Sequence, residues 1–312
     1  MTEMLSAVET VLSMMIIISL GFILTHKKWF TEEVSKVLVK LVTQISLPLL
    51  MINTITSNFD SHSLITSSKA LIVPFLSMLL CYIISIAFSK IMKIDKNKRG
   101  LFKSMFFNSN TIFMGLPINM ALFGEKSVPF VLLYYIANTT FFWTVGIYEI
   151  SKDGSEFKQR LFSKESFKKI FSPPLVGYLI GIVIVLLNIS LPAFIKDTFK
   201  YLGNITTPLA MLFIGITIYS VNFKKIRIDK NVLGVLLGRF LIAPLLVIAL
   251  TLIFPIPKLM RDVFIIQSIM PVMTNTAIIA KACNADCDYA AIMIGITTIA
   301  SLFIIPIYVF IL

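Results

Sequence analysis

Two short polar stretches interrupt otherwise apolar runs, and they hold the residue types that could do chemistry away from water. The first reads Phe106-Phe-Asn108-Ser-Asn110-Thr111 and is followed by Gly115 and Pro117. The second reads Met270-Pro271-Val-Met-Thr274-Asn275-Thr276. Asn, Ser and Thr cap helix N-termini, whereas Pro and Gly end helices. Each stretch would end one half-helix and start another, leaving free N–H groups and a positive dipole end. That arrangement binds an anion, and carbonyls freed at the opposing half-helix ends bind a cation. Asn108, Asn110, Thr111, Pro271, Thr274 and Asn275 are the candidate binding residues, and Pro48, Gly115, Pro117 and Pro208 are the candidate helix breaks. The competing reading is a pair of kinks whose polar groups bond to neighbouring helices. Polar breaks at matching depth favour a site: Asn110 lies eleven residues past Arg99 and Val272 eleven past Arg261, about 16 Å along a helix in each case.

A charged residue inside an apolar run is a functional candidate by default. Arg239, nine residues past Lys230, leaves two readings open: it pairs with an anionic cargo, or it caps a neighbouring helix. Glu32, Lys36, Lys40 and Gln44 recur every four residues toward Pro48, which reads as an interfacial ion-pair stripe. Lys281 reads as an anchor at the inner end of its run. Carboxylates are nearly absent from the runs: Glu149 lies at the end of one, Asp286 and Asp288 lie in a loop, and so do His26 and His62. A relay of protons through a titrating side chain has no visible carrier, which favours sodium held by neutral oxygens, or uncoupled movement. Cys81, Cys283 and Cys287 form no disulfide framework, and a metal pair with Asp286 or Asp288 is a weaker reading than small buried residues. No metal ligands are assigned, and a sodium ion is the one cofactor left open.

The elements that must position these residues follow from composition. Of 312 residues, 57% are apolar and 14% charged, where a soluble domain has about 25% charged. So few charges cannot cover a soluble surface, which excludes soluble enzymes and nucleic-acid binders. The net charge of +12 reads as the cytoplasmic excess of Lys and Arg in a protein whose solvent is a lipid bilayer. Apolar runs of spanning length occur at 4–25, 34–56, 70–92, 101–123, 127–150, 173–190, 198–221, 231–254, 259–282 and 289–312. Without strict alternation they predict helices rather than a barrel. The acidic start, with Glu3 and Glu9, has no signal-peptide pattern, so the first run stays a span. Loops after odd spans hold most of the Lys and Arg, including Lys96, Lys98 and Arg99, then Lys158, Arg160 and Lys164, and later Lys224, Lys225 and Arg227. This places both termini outside a plasma membrane. The basic segment 151–172 is the one long connection, and it reads equally as an amphipathic surface helix or a solvated linker.

The second half repeats the first at an offset near 160. Gly21 matches Gly181 and Pro48 matches Pro208, with Ser46-Leu-Pro-Leu-Leu-Met51 aligned on Thr206-Thr-Pro-Leu-Ala-Met211. Arg99-Gly-Leu-Phe102 resembles Arg261-Asp-Val-Phe264, and Gly146-Ile-Tyr148 resembles Pro306-Ile-Tyr308. Five spans per repeat is an odd number, so the halves enter the membrane from opposite sides, as in many secondary transporters. The expected fold is an all-α polytopic membrane protein: ten transmembrane helices in a 5+5 inverted repeat, with helices 4 and 9 broken and crossing. The expected divisions are 1–150, a linker at 151–172, and 173–312.

Asn110-Thr-Ile-Phe-Met-Gly-Leu-Pro117 followed by Phe123-Gly124 resembles the fourth-helix crossover of the auxin efflux carrier family, which includes bacterial malate and malonate permeases. Pro271 followed by Ala280-Lys281 and Asn284 resembles the ninth-helix counterpart. Ser109 stands where the plant carriers have Pro, and the central loop is short where theirs is long. The resemblance implies a scaffold of spans 1, 2, 6 and 7, a six-span transport domain sliding as an elevator, and a homodimer formed through the scaffold. The expected function is a secondary transporter of small organic anions such as malate or another dicarboxylate, bound at the helix 4/helix 9 crossover. The alternatives are a sodium-coupled carrier of larger hydrophobic anions and a membrane metabolite receptor that moves nothing. An intramembrane enzyme lacks its motifs: there is no Ser/His pair, no aspartyl dyad and no metal-ligand helix motif.

Overall fold

The computed structural model describes residues 2–60, 69–154, 169–220 and 229–312. Among these residues it is helical throughout, and its one β feature is an isolated bridge. The helices are α1 (Thr2–His26), α2 (Glu32–Asn58), α3 (Lys69–Ile91), α4 (Arg99–Phe107), α5 (Thr111–Phe123), α6 (Glu125–Ser151), α7 (Pro173–Leu186), α8 (Ala193–Tyr219), α9 (Lys230–Ile253), α10 (Lys258–Ser268), α11 (Asn275–Ala282) and α12 (Cys287–Ile311). Helix occupies every one of the ten apolar runs. Six helices, α2, α3, α6, α8, α9 and α12, are long and apolar enough to cross a membrane, and α5 and α7 are shorter apolar helices. The chain is a polytopic α-helical membrane protein. Most of segment 151–172, together with His62, Lys224, Lys225 and Arg227, lies outside the described residues.

Local chemistry sets several helix starts. The side chains of Thr31, Asp229 and Asp286 accept from the N–H groups of Val34, Val232 and Tyr289, using donors that a helix start cannot satisfy internally. Two expected breaks are corrected. Pro48 and Pro117 do not interrupt their helices; each follows a π turn, Val42–Ser46 and Thr111–Gly115. A widened turn moves the carbonyl that the proline ring would strike and needs no N–H from the proline. Gly115 closes one of these turns. In α8 a single residue, Ile205, interrupts the helix, three positions before Pro208.

Two compact units result, and each draws on both sequence halves. The first takes residues 1–71, 112–133 and 171–220, which carry spans 1, 2, 6 and 7 together with the second half of span 4 and the start of span 5. Its helices approach through glycine. Gly21 in α1 lies against the backbone of Leu212 in α8, and Gly215 in α8 lies against the backbone of Ile18 and Phe22 in α1. Gly177 and Gly181 in α7 lie against Pro48 and Ile55 in α2. Small residues let backbones close to van der Waals contact where lipid supplies no hydrophobic drive.

The second unit takes residues 72–111, 134–170 and 221–312. Its core is aromatic and aliphatic, with Phe102, Phe106, Phe107, Tyr134, Phe264, Ile266 and Met270 all buried. At one end of the unit, Asp153 accepts from the N–H groups of Gly100 and Leu101, each at 2.7 Å, and so caps α4. Beside it the buried Glu149 accepts from the Tyr82 hydroxyl at 2.7 Å, from Lys103 at 2.8 Å and from Lys152 at 3.2 Å. A carboxylate held by three donors is a structural anchor. Asp262, which no sequence pattern singles out, is buried in the first turns of α10 and paired with Lys258 and Arg261 at 3.0 Å each.

Candidate functional site

The crossover lies in the second unit. Helix α4 ends at Phe107, Asn108 is extended, and the chain turns helical again at Thr111. Helix α10 ends at Ser268, and the chain runs without helix through Met270–Met273 to α11. The two open stretches pair as an antiparallel bridge, Ser109 with Val272, and the Asn110 N–H donates to the Pro271 carbonyl at 2.8 Å. Both predicted breaks are therefore present and meet each other.

Backbone exposed by a break in an apolar interior must find partners, and side chains supply most of them. Asn138 in α6 accepts from the Ser109 N–H and donates to the Ser109 carbonyl, both at 2.9 Å, a two-sided clamp. Thr297 in α12 accepts from the Val272 N–H at 3.1 Å. Gln267 donates to the Thr111 carbonyl at 3.3 Å. Pro271 has no N–H to satisfy, which suits it to this position. Arg239 sits on a π turn of α9, Gly238–Ile242, and is fully buried. Its guanidinium donates through Nε and Nη2 to the Met270 carbonyl at 3.1 and 2.9 Å, and through Nη2 to the Ser268 carbonyl. Of the two readings left open for Arg239, the structure shows the cap.

The other candidates divide. Asn108, Asn110, Thr111 and Pro271 are buried at the bridge, with Asn108 Nδ2 donating to Ser104 Oγ at 3.4 Å. Thr274 and Asn275 are partly exposed and open α11, and Thr274 makes no side-chain cap bond. Pro48, Gly115, Pro117 and Pro208 lie outside the bridged stretches. Several buried polar atoms near the breaks have no partner: Asn108 Oδ1, Ser109 Oγ, Gln267 Oε1, Thr276 Oγ1 and Arg239 Nη1. Orphans of this kind are rare in a sealed interior and mark places where water, an ion or a cargo completes the bonding. Asn138 and Thr297 were missed by sequence reasoning. The available signal was a polar triplet, Asn138-Thr-Thr, inside an apolar run.

A family model described as a membrane transport protein matches residues 6–309, nearly the whole chain. The chain belongs to the auxin efflux carrier family. Two relatives are similar over 97% of the chain and 98% of their own length: uncharacterized transporters from Methanocaldococcus jannaschii, 26% identical over 308 residues, and from Methanothermobacter thermautotrophicus, 25% identical over 309 residues. This member of the auxin efflux carrier family is a membrane transporter and not an enzyme.

Proposed function

We propose that the protein is a secondary transporter of small organic anions, with a dicarboxylate such as malate as the leading cargo, bound at the crossover. The observation that carries this reading is the Arg239 guanidinium. It is fully buried, bonded to carbonyl oxygens alone, and has no carboxylate partner among the described residues. Arginine stays protonated, so this is a fixed positive charge in an apolar interior, which draws anions and repels cations. The orphaned oxygens beside the bridge support a polar chamber rather than a closed kink. We propose an elevator cycle with spans 1, 2, 6 and 7 static and forming a homodimer; in its support, those four spans fall in one compact unit, which also takes residues 112–133. The location we propose is the plasma membrane with both termini outside.

Uptake by purified protein in liposomes, screened over mono- and dicarboxylates with and without a sodium gradient, tests the cargo class. Absence of both net uptake and exchange for every carboxylate would reject it. Asn110→Ala and Asn275→Ala are each expected to lower uptake about tenfold or more, the effect of losing a hydrogen bond of roughly 1.5–3 kcal/mol to a charged group. The Asn275→Ala midpoint should move little, because the partly exposed Asn275 leaves no buried orphan, whereas Asn110 is buried and its variant should also lose some stability. A variant that unfolds readily while its folded fraction transports normally assigns that asparagine a structural role.

Orientation has its own check. In a background without the three cysteines, Asn97→Cys should resist an impermeant thiol reagent in intact cells, while Glu125→Cys should react. Both positions are exposed, so the opposite labelling pattern reverses the proposed topology.

A further inference from the structure

The carbonyl end of a broken helix in a membrane is a natural cation site. The last carbonyls of a half-helix carry a partial negative charge, and secondary transporters hold sodium with such groups. At the end of α10 this electron-rich place is already taken. The Ser268 and Met270 carbonyls both accept from Arg239, which reaches them from another helix. The backbone donor four residues past Ser268, the Val272 N–H, turns to Thr297 instead. Room for the guanidinium's helix comes from Gly238, whose position would put a Cβ 2.5 Å from the Phe106 ring. The titratable groups that feel this charge are the Tyr134 phenol and the Cys81 thiol, both buried.

We propose that Arg239 is a built-in cation which occupies, through the Ser268 and Met270 carbonyls, the place an alkali ion would take, so that transport runs without sodium. The proposal rests on the crossover being the transport site. A mobile ion enters and leaves with each cycle and couples its gradient to the cargo. A guanidinium tethered to α9 supplies the same charge to the same carbonyls but cannot leave, so a sodium gradient adds no driving force. A guanidinium that only caps a helix would leave no alkali-ion site behind when removed, and this separates the two roles.

The experiment compares purified wild type, Arg239→Lys and Arg239→Met in sodium chloride, lithium chloride and choline chloride at equal ionic strength. Both thermal unfolding and liposome uptake are read. Wild type and Arg239→Lys should each show a midpoint and a rate that do not change from one salt to another. Arg239→Met should unfold at lower temperature in choline and recover by about 2 °C or more in sodium or lithium, as an ion that binds only the folded state stabilises it. Sodium-dependent uptake or stability in the wild type would overturn the proposal, and so would a folded Arg239→Met indifferent to every cation. Should Arg239→Met fail to fold, Arg239→Gln, which is also uncharged but keeps a donor for the carbonyls, takes its place in the same three salts with the same expected and overturning results. The unfolding readout needs no cargo, so a protein that moves no carboxylate still reports on the cation site.

Discussion

Asn138→Leu is expected to cost the protein about 2–6 kcal/mol of stability and to abolish transport. Leucine shares the branching of asparagine but is bulkier, so the cost combines overpacking, about 1–3 kcal/mol, with loss of the two hydrogen bonds to Ser109. The Ser109 carbonyl also accepts from the Thr111 N–H at 2.9 Å, so the orphan is the Ser109 N–H, which costs about 1–3 kcal/mol when buried, and Asn138 and Ser109 are both fully buried. Interhelical bonds in membrane proteins average about 0.6 kcal/mol, because the unfolded chain in lipid finds other partners. The Ser109 N–H lies outside any helix and has no such substitute, which puts its bond at the upper end. Asn138→Asp keeps the acceptor for the Ser109 N–H but opposes the Ser109 carbonyl, so it should fall between wild type and leucine. Unfolding midpoints of the detergent-solubilised variants and their uptake rates in liposomes measure both effects. Wild-type values for Asn138→Leu would remove the clamp from the account.

Gly215→Ala should destabilise the first unit by about 1–3 kcal/mol, the usual cost of overpacking. The added methyl would meet backbone: the Phe22 nitrogen at 2.6 Å and the Gly21 carbonyl carbon at 2.9 Å, with the Ile18 carbonyl oxygen closer still. Backbone cannot rotate aside as a side chain does, so α1 and α8 must separate along their contact. Gly21→Ala forces the same separation from the opposite side, against the Leu212 backbone. Once the helices have parted for one methyl, the second has less to displace. The double variant should therefore cost less than the two single costs combined, as expected for neighbours that share one interface. Full additivity in unfolding experiments would mean that the two glycines are relieved independently and that the close approach is not shared.

The spans were legible because long apolar runs have few other uses, and the two crossing breaks because Asn, Ser and Thr beside Pro have a clear preference for helix ends. Pro48 and Pro117 carry the same composition yet leave their helices continuous, since a π turn that absorbs a proline leaves no mark in residue type. Arg239 shows a second limit. Its depth was evident from Lys230, but its role depends on two carbonyls about thirty positions away, beyond any local pattern. Asn138 looked like any polar residue in a span until the backbone it serves was in view. Asp262 was overlooked because its paired bases, Lys258 and Arg261, resemble an ordinary charged loop.

The pairing of α1 with α8 sets a schedule for biosynthesis. Leu212 lies 191 positions after Gly21, so at ordinary synthesis rates of about 5–20 residues per second the first helix waits roughly 10–40 s for its partner to leave the ribosome. During that interval its glycine face meets lipid or the insertion machinery. A substitution there is thus exposed to quality control before the finished packing exists to resist it.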